Sequence, residues 1–191
     1  MSSTAIYVDL ETTGTEPDKH KIIEVGAVVF RGGREIAQFA ELVNPGEAAI
    51  AAASRRAMDV NQIDLDEVRH ARPTAVVAAA FREFVAAYEG ASLYAFPRSF
   101  EESFLVQEPW GLTAWGDCVM QAVREAMIAD NALSNGPDGK PKRPRLGEAA
   151  AFYGVTGCGP AHRSLSDARK TARVHQEYLA RLAIKMGGKA S

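Results

Sequence analysis

Two acids one residue apart, Asp9 and Glu11, stand in the run Ile6-Tyr7-Val8-Asp9-Leu10-Glu11. Side chains alternate along a strand, so Tyr7, Asp9 and Glu11 share one face while Ile6, Val8 and Leu10 share the other. Carboxylates crowded at the end of an apolar strand repel each other and lose hydration, a cost that hard, oxygen-seeking Mg²⁺ or Mn²⁺ can offset. The plainer alternative is a solvated edge strand with two exposed acids. Thr12-Thr13-Gly14 follows at once, a tight turn whose backbone N–H groups can hold a substrate oxygen.

A second grouping lies near the other end, in Ala161-His162-Arg163-Ser164-Leu165-Ser166-Asp167, where a loop histidine precedes an acid in the first turn of a helix. Imidazole, with an ordinary pKa of about 6.5, accepts a proton from water near neutral pH and suits the general base of a hydrolysis. Ser164 and Asp167 also fit the S-x-x-D capping box, under which Asp167 would do no more than close a helix end. Lys140, Lys142, Arg143 and Arg145 interleave with Pro141 and Pro144, four cations with no anion among them. They read either as a solvated loop or as an arm that tracks phosphates.

The elements that must position these groups follow from periodicity. Ala5–Leu10, Lys21–Phe30 and Glu35–Val43 read as strands, the last two joined by a Gly32-Gly33 hairpin, so the chain opens as an antiparallel meander. An Ala-rich stretch without clear assignment follows the Asn44-Pro45-Gly46 turn. Pro73 then opens a helix striped by Val76, Val77, Ala80, Phe81, Phe84, Val85 and Tyr88; Ser92–Ala95 is a fourth strand and Phe100–Val106 starts another helix. Cys118–Ala129 reads as helix, 130–145 as a long loop, and Leu146–Tyr153 as a short helix closed by Gly154. The last helix carries Leu165, Ala168, Ala172, His175, Leu179 and Leu182 at steps of three and four, a stripe expected to pack on the sheet. Strands first and helices alternating later give an α/β fold: a mixed sheet flanked by helices.

With 191 residues, 47% of them hydrophobic, the chain is expected to be a single domain, 1–191, with a flexible tail over about 186–191. The longest stretch free of Asp, Glu, Lys and Arg, Ala149–His162, is too short to span a bilayer, so no membrane role is expected. Cys118 and Cys158 form no CxxC pair, and Met1–Glu11 lacks a secretory signal, which together suggest a reducing, cytoplasmic setting. A net charge of −2 gives weak bulk attraction to a polyanion, so any nucleic-acid role needs a local basic patch or bound cations.

Taken in order, DLETTG, IIEVGAVVF, the Asn44-Pro45 turn, SFEESFL and HRSLSDARKT resemble the DEDDh branch of the DnaQ-like 3′→5′ exonucleases, from about Ile6 to Tyr178. The resemblance implies an RNase H-like, five-stranded mixed sheet and an active site of four acids that bind two divalent ions, Mg²⁺ or Mn²⁺. Asp9 and Glu11 match the first pair, His162 the general base and Asp167 the last acid. The middle motif departs from the usual His-Asn-x-x-Phe-Asp: it reads Phe96-Pro97-Arg98-Ser99-Phe100-Glu101, which puts Glu101 where an aspartate is expected. Its rival Glu102 fits a capping box with Ser99, which leaves Glu101 to face the site. Phe96 reads as a core aromatic or, alternatively, as a platform for a nucleobase. The implied activity is hydrolysis of single-stranded 3′ ends of DNA or RNA to 5′-mononucleotides, with Thr12, Thr13, Phe96, Lys142, Arg143 and Arg145 as substrate contacts. The rival readings are a degenerate relative that binds nucleic acid without cutting it, and a structural domain with surface acids. A polymerase or a second copy as partner is left open.

Overall fold

The computed structural model describes residues 4–187. Strands β1 (Thr4–Thr12), β2 (Ile22–Arg31) and β3 (Arg34–Asn44) form the expected meander. Gly32 and Gly33, at φ of 58° and 76°, make the β2–β3 turn in the left-handed region that the twist of a two-residue hairpin requires. The Ala-rich stretch resolves into three short helices, α1 (Glu47–Ala51), α2 (Arg55–Asn61) and α3 (Leu65–His70). They lead to β4 (Arg72–Pro73), which pairs in parallel with the end of β3, and to α4 (Thr74–Ala86). Strand β5 (Ser92–Tyr94) runs parallel to β1, completing the order β4-β3-β2-β1-β5. Helices α5 (Arg98–Leu105), α6 (Val119–Ala129), α7 (Leu146–Tyr153) and α8 (Ser164–Gly187) complete the expected mixed sheet flanked by helices.

Alternation along β1 divides the molecule into two layers. Ile6, Val8 and Leu10 enter a core with Val77 and Phe81 of α4, while Tyr7 enters a second core with Val123 of α6, Ala149 of α7 and Ala168 of α8. Asp9 and Glu11 therefore lie on the α8 side, where that helix crosses β1 and β2. Gly26 makes the crossing possible: a Cβ there would overlap the backbone of Ser164 and Leu165.

One expectation about α8 is corrected. Leu179 and Leu182 are 43% and 38% exposed, because the helix outruns the sheet on which its first half packs. Met186 and Gly187, assigned to a tail, close the helix; the rest of that tail, 188–191, lies outside the described residues. Among the described residues, no helix is long and apolar enough to cross a membrane.

Candidate active site

The acids meet at the C-terminal end of β1. Asp9 stands opposite Gly26 and Glu11 opposite Glu24 in the β1–β2 ladder, α5 brings Glu101, and α8 brings Asp167 behind the His162 loop. Glu11, His162 and Asp167 each offer a ligand atom within 4.8 Å of the others. Glu101 is only 2% exposed, and its Oε2 has no hydrogen-bond partner among the described residues. Both Asp167 oxygens are engaged: Oδ2 accepts from the His162 N–H at 3.0 Å and Oδ1 from Lys170 Nζ at 2.6 Å.

His162 sits at φ 57°, a left-handed conformation that costs a non-glycine residue roughly 1 kcal/mol or more. Glu24, which sequence reasoning missed, secures the residues beside it. Its Oε1 accepts from Arg163 Nε and Nη2 at 2.9 and 2.6 Å, and its Oε2 from the Ser164 N–H at 2.8 Å. A buried acid on β2 thus pins the start of α8 next to Glu11 and turns the exposed imidazole toward the carboxylates.

The charge balance is unfavourable without a cation. Burial, then Glu101, Glu11, Asp167 and Glu24 in turn, push the Asp9 carboxyl well above its usual range. Burial and then Glu11 do the same to Glu101. Glu11 is pushed up to about 8 by burial first and then by Glu24 and Asp167, against the pull of Arg163. Hard oxygen donors, mutual repulsion and an orphaned buried oxygen suit a hard divalent ion.

Residues 6–97 match the RNase T exonuclease family. The chain is 26% identical over 182 residues to the PolC-type DNA polymerase III of Thermotoga maritima, which is 93% of this chain and 12% of that protein. Its fold is similar to that of the cell-death related nuclease CRN-4, with a TM-score of 0.73, 15% identity, and coverage of 94% of this chain and 64% of that one. E. coli Exonuclease I in complex with a 5cy-dT13 oligonucleotide gives a TM-score of 0.71 at 15% identity, covering 91% of this chain and 40% of that one. The chain is thus similar to RNase T exonucleases over residues 6–97, just under half of its length. It spans about an eighth of the length of the polymerase it matches.

In the middle motif, Glu101 is turned inward by a route other than the one expected. No Ser99–Glu102 capping box forms: Pro97 is the N-cap of α5, so Ser99 lies inside the first turn, and Glu102 accepts from Arg98 Nε at 2.9 Å. Glu102 is still turned away and Glu101 inward. The Ser164–Asp167 box is likewise absent, since Ser164 Oγ is buried without a partner among the described residues and Asp167 bonds back to His162.

The expected substrate contacts are placed unevenly. Thr13 is buried; its N–H donates to Lys21 O and its hydroxyl accepts from the Lys21 N–H, both at 2.9 Å, so neither is free for a substrate. Thr12 Oγ1 donates to Gly14 O. Phe96 belongs to the core that holds Met120 and Val123, so the structure does not bring it to the site surface. Lys142 pairs with Glu148 at 2.6 Å, and Arg124 donates to the carbonyls of Pro141 and Lys142, so the basic segment is anchored; Arg143 and Arg145 are exposed. A cleft of about 660 Å³ opens beside Glu11, with Arg56, Val60 and Phe100 in its walls. Sequence reasoning missed Arg56 because it left the α2 region unassigned.

Proposed function

We propose that this chain is a metal-dependent 3′→5′ exonuclease of the DEDDh type that trims single-stranded 3′ ends of DNA or RNA and releases 5′-mononucleotides. The observation that carries the reading is the convergence of Asp9, Glu11, Glu101 and Asp167 with His162 at one end of β1. The four acids would hold two Mg²⁺ or Mn²⁺ ions, which when bound neutralise the scissile phosphodiester and favour ionisation of water. Residues 1–191 act as one exonuclease domain, and the free thiols Cys118 and Cys158 suit a reducing compartment such as the cytoplasm.

His162 accepts the proton of the attacking water at its imidazole, which Glu24 keeps in place through Arg163 and Ser164. The water oxygen bonds to phosphorus, the bond to the leaving 3′ oxygen breaks, and that oxygen takes a proton from solvent. The terminal nucleotide occupies the cleft, its base against Val60 and Phe100 and its polar edge toward Arg56. Arg143 and Arg145 meet phosphates further along the strand.

End-labelled single-stranded DNA and RNA oligonucleotides with Mg²⁺ or Mn²⁺ test the reading. A ladder shortening from the 3′ end, with 5′-mononucleotide product, is expected. Asp9→Asn should abolish it without loss of fold, since it keeps the side-chain shape and removes one ligand charge. Strand binding with no ladder from the wild type would make the chain a binding module instead.

A further inference from the structure

Lys170 lies one turn after Asp167 on α8, with Nζ 2.6 Å from Oδ1, and the two side chains are only 16% and 12% exposed. No other ion pair among the described residues has both partners so enclosed; the Lys19–Glu16 pair, at 70% and 59%, shows the ordinary condition. Exposed pairs are screened by water and interact weakly, whereas an enclosed ammonium imposes most of its charge on its neighbour. The asymmetry within the site is sharp: Glu101 presents a buried oxygen with no partner, while both Asp167 oxygens are engaged, one by the Lys170 ammonium and one by the His162 N–H.

We propose that Lys170 is the site's built-in counter-ion, a positioning residue that neutralises Asp167 until a divalent ion displaces the ammonium, and that it thereby sets the affinity for metal. The inference rests on the proposed function, in which the acid cluster is a metal site. Before metal arrives, Lys170 relieves repulsion within the cluster and steadies the first turn of α8. On loading, the ammonium must swing away along its flexible stem, and the free energy of separating it from Asp167 is subtracted from that of metal binding.

The test uses Mn²⁺ and the full chain without any nucleic acid, reading free Mn²⁺ by its electron paramagnetic resonance signal. Lys170→Met, which keeps the apolar stem, should bind Mn²⁺ at least ~5-fold more tightly than wild type, the minimum for removing one unit charge at contact distance under water-like screening. Lys170→Arg, which keeps the charge, should stay near wild type. Should Lys170→Met fail to melt cooperatively, amine-reactive labelling of the wild type decides: labelling of Lys170 should rise with saturating Mn²⁺ while that of Lys185 stays constant. Wild-type Mn²⁺ binding with unchanged affinity in Lys170→Met, or with unmoved Lys170 labelling, overturns the counter-ion role. Failure of the wild type to bind Mn²⁺ at all would instead sink the metal-site reading beneath it.

Discussion

Glu101 reaches the acid cluster with one methylene more than the aspartate that the family resemblance leads one to expect. Its burial and unpartnered Oε2 indicate that the longer side chain is extended into the site from a helix start fixed by Pro97. Glu101→Gln is therefore expected to lower Mg²⁺-dependent turnover at least 100-fold, ~2.7 kcal/mol in the barrier, while Glu102→Gln, which merely frees Arg98, leaves most of it. The reverse ranking in a labelled-strand assay would mean that the wrong acid of the pair has been assigned. The same crowding makes stability depend on pH. Asp9, Glu11 and Glu101 titrate higher folded than unfolded, so the folded chain holds more protons and metal-free stability falls as pH rises. That contribution is fully present below the unfolded carboxyl range, near pH 4, and for Glu11 is lost as pH rises through its folded value of about 8. Melting of the metal-free protein should drop by at least ~5 °C between pH 6 and pH 8.5, on the scale of roughly 2–4 °C per kcal/mol for a domain of this size, and saturating Mn²⁺ should flatten the drop. A flat metal-free profile would mean the acids are not in mutual contact.

At the scale of elements, the site depends on how closely α8 approaches β2. Gly26→Ala places a methyl group into the backbone of Ser164 and Leu165 and should destabilise the fold by roughly 1–3 kcal/mol as the helix start is pushed outward. Because His162 and Asp167 ride on that start, turnover should fall at least ~10-fold more than the stability loss explains, read as kcat at a temperature where both proteins are folded. Sequence periodicity located the elements well: Leu146–Tyr153 with its Gly154 stop, the Gly32-Gly33 hairpin and the strand alternation that puts Asp9 beside Glu11 all depend on near neighbours. Other features were beyond it for a physical reason. Glu24 looks like an ordinary strand acid because its partners, Arg163 and Ser164, are about 140 residues away. The Ser99 and Ser164 capping patterns misled because a three-residue spacing does not say where a helix begins, and Pro97 had already set the start of α5. The stripe through Leu179 and Leu182 marks one face of a helix but not the point at which the sheet beneath it ends.

Over the whole molecule, a net charge of −2 leaves substrate attraction to local groups, and on the segment before α7 only some of the cations are available. Lys142 is held by Glu148, so Lys140, Arg143 and Arg145 are the ones presented to solvent. Neutralising Lys142, Arg143 and Arg145 together should weaken long strands more than dinucleotides and reduce the log–log salt slope by up to ~0.7 for each phosphate that no longer meets a cation. Arg143→Gln with Arg145→Gln should reproduce most of the change; equal weakening at every strand length would remove the segment from the binding surface. A last consequence follows from the hydrogen bond between Tyr7 and His175, which joins residues 168 positions apart; the acids of β1 and α8 are brought together across a similar span. Segments far apart in the sequence complete the proposed centre, so a nascent chain on the ribosome carries Asp9, Glu11 and Glu101 long before His162 and Asp167 emerge from the exit tunnel. A nuclease centre of the kind proposed stays incomplete until the first turn of α8 has been made.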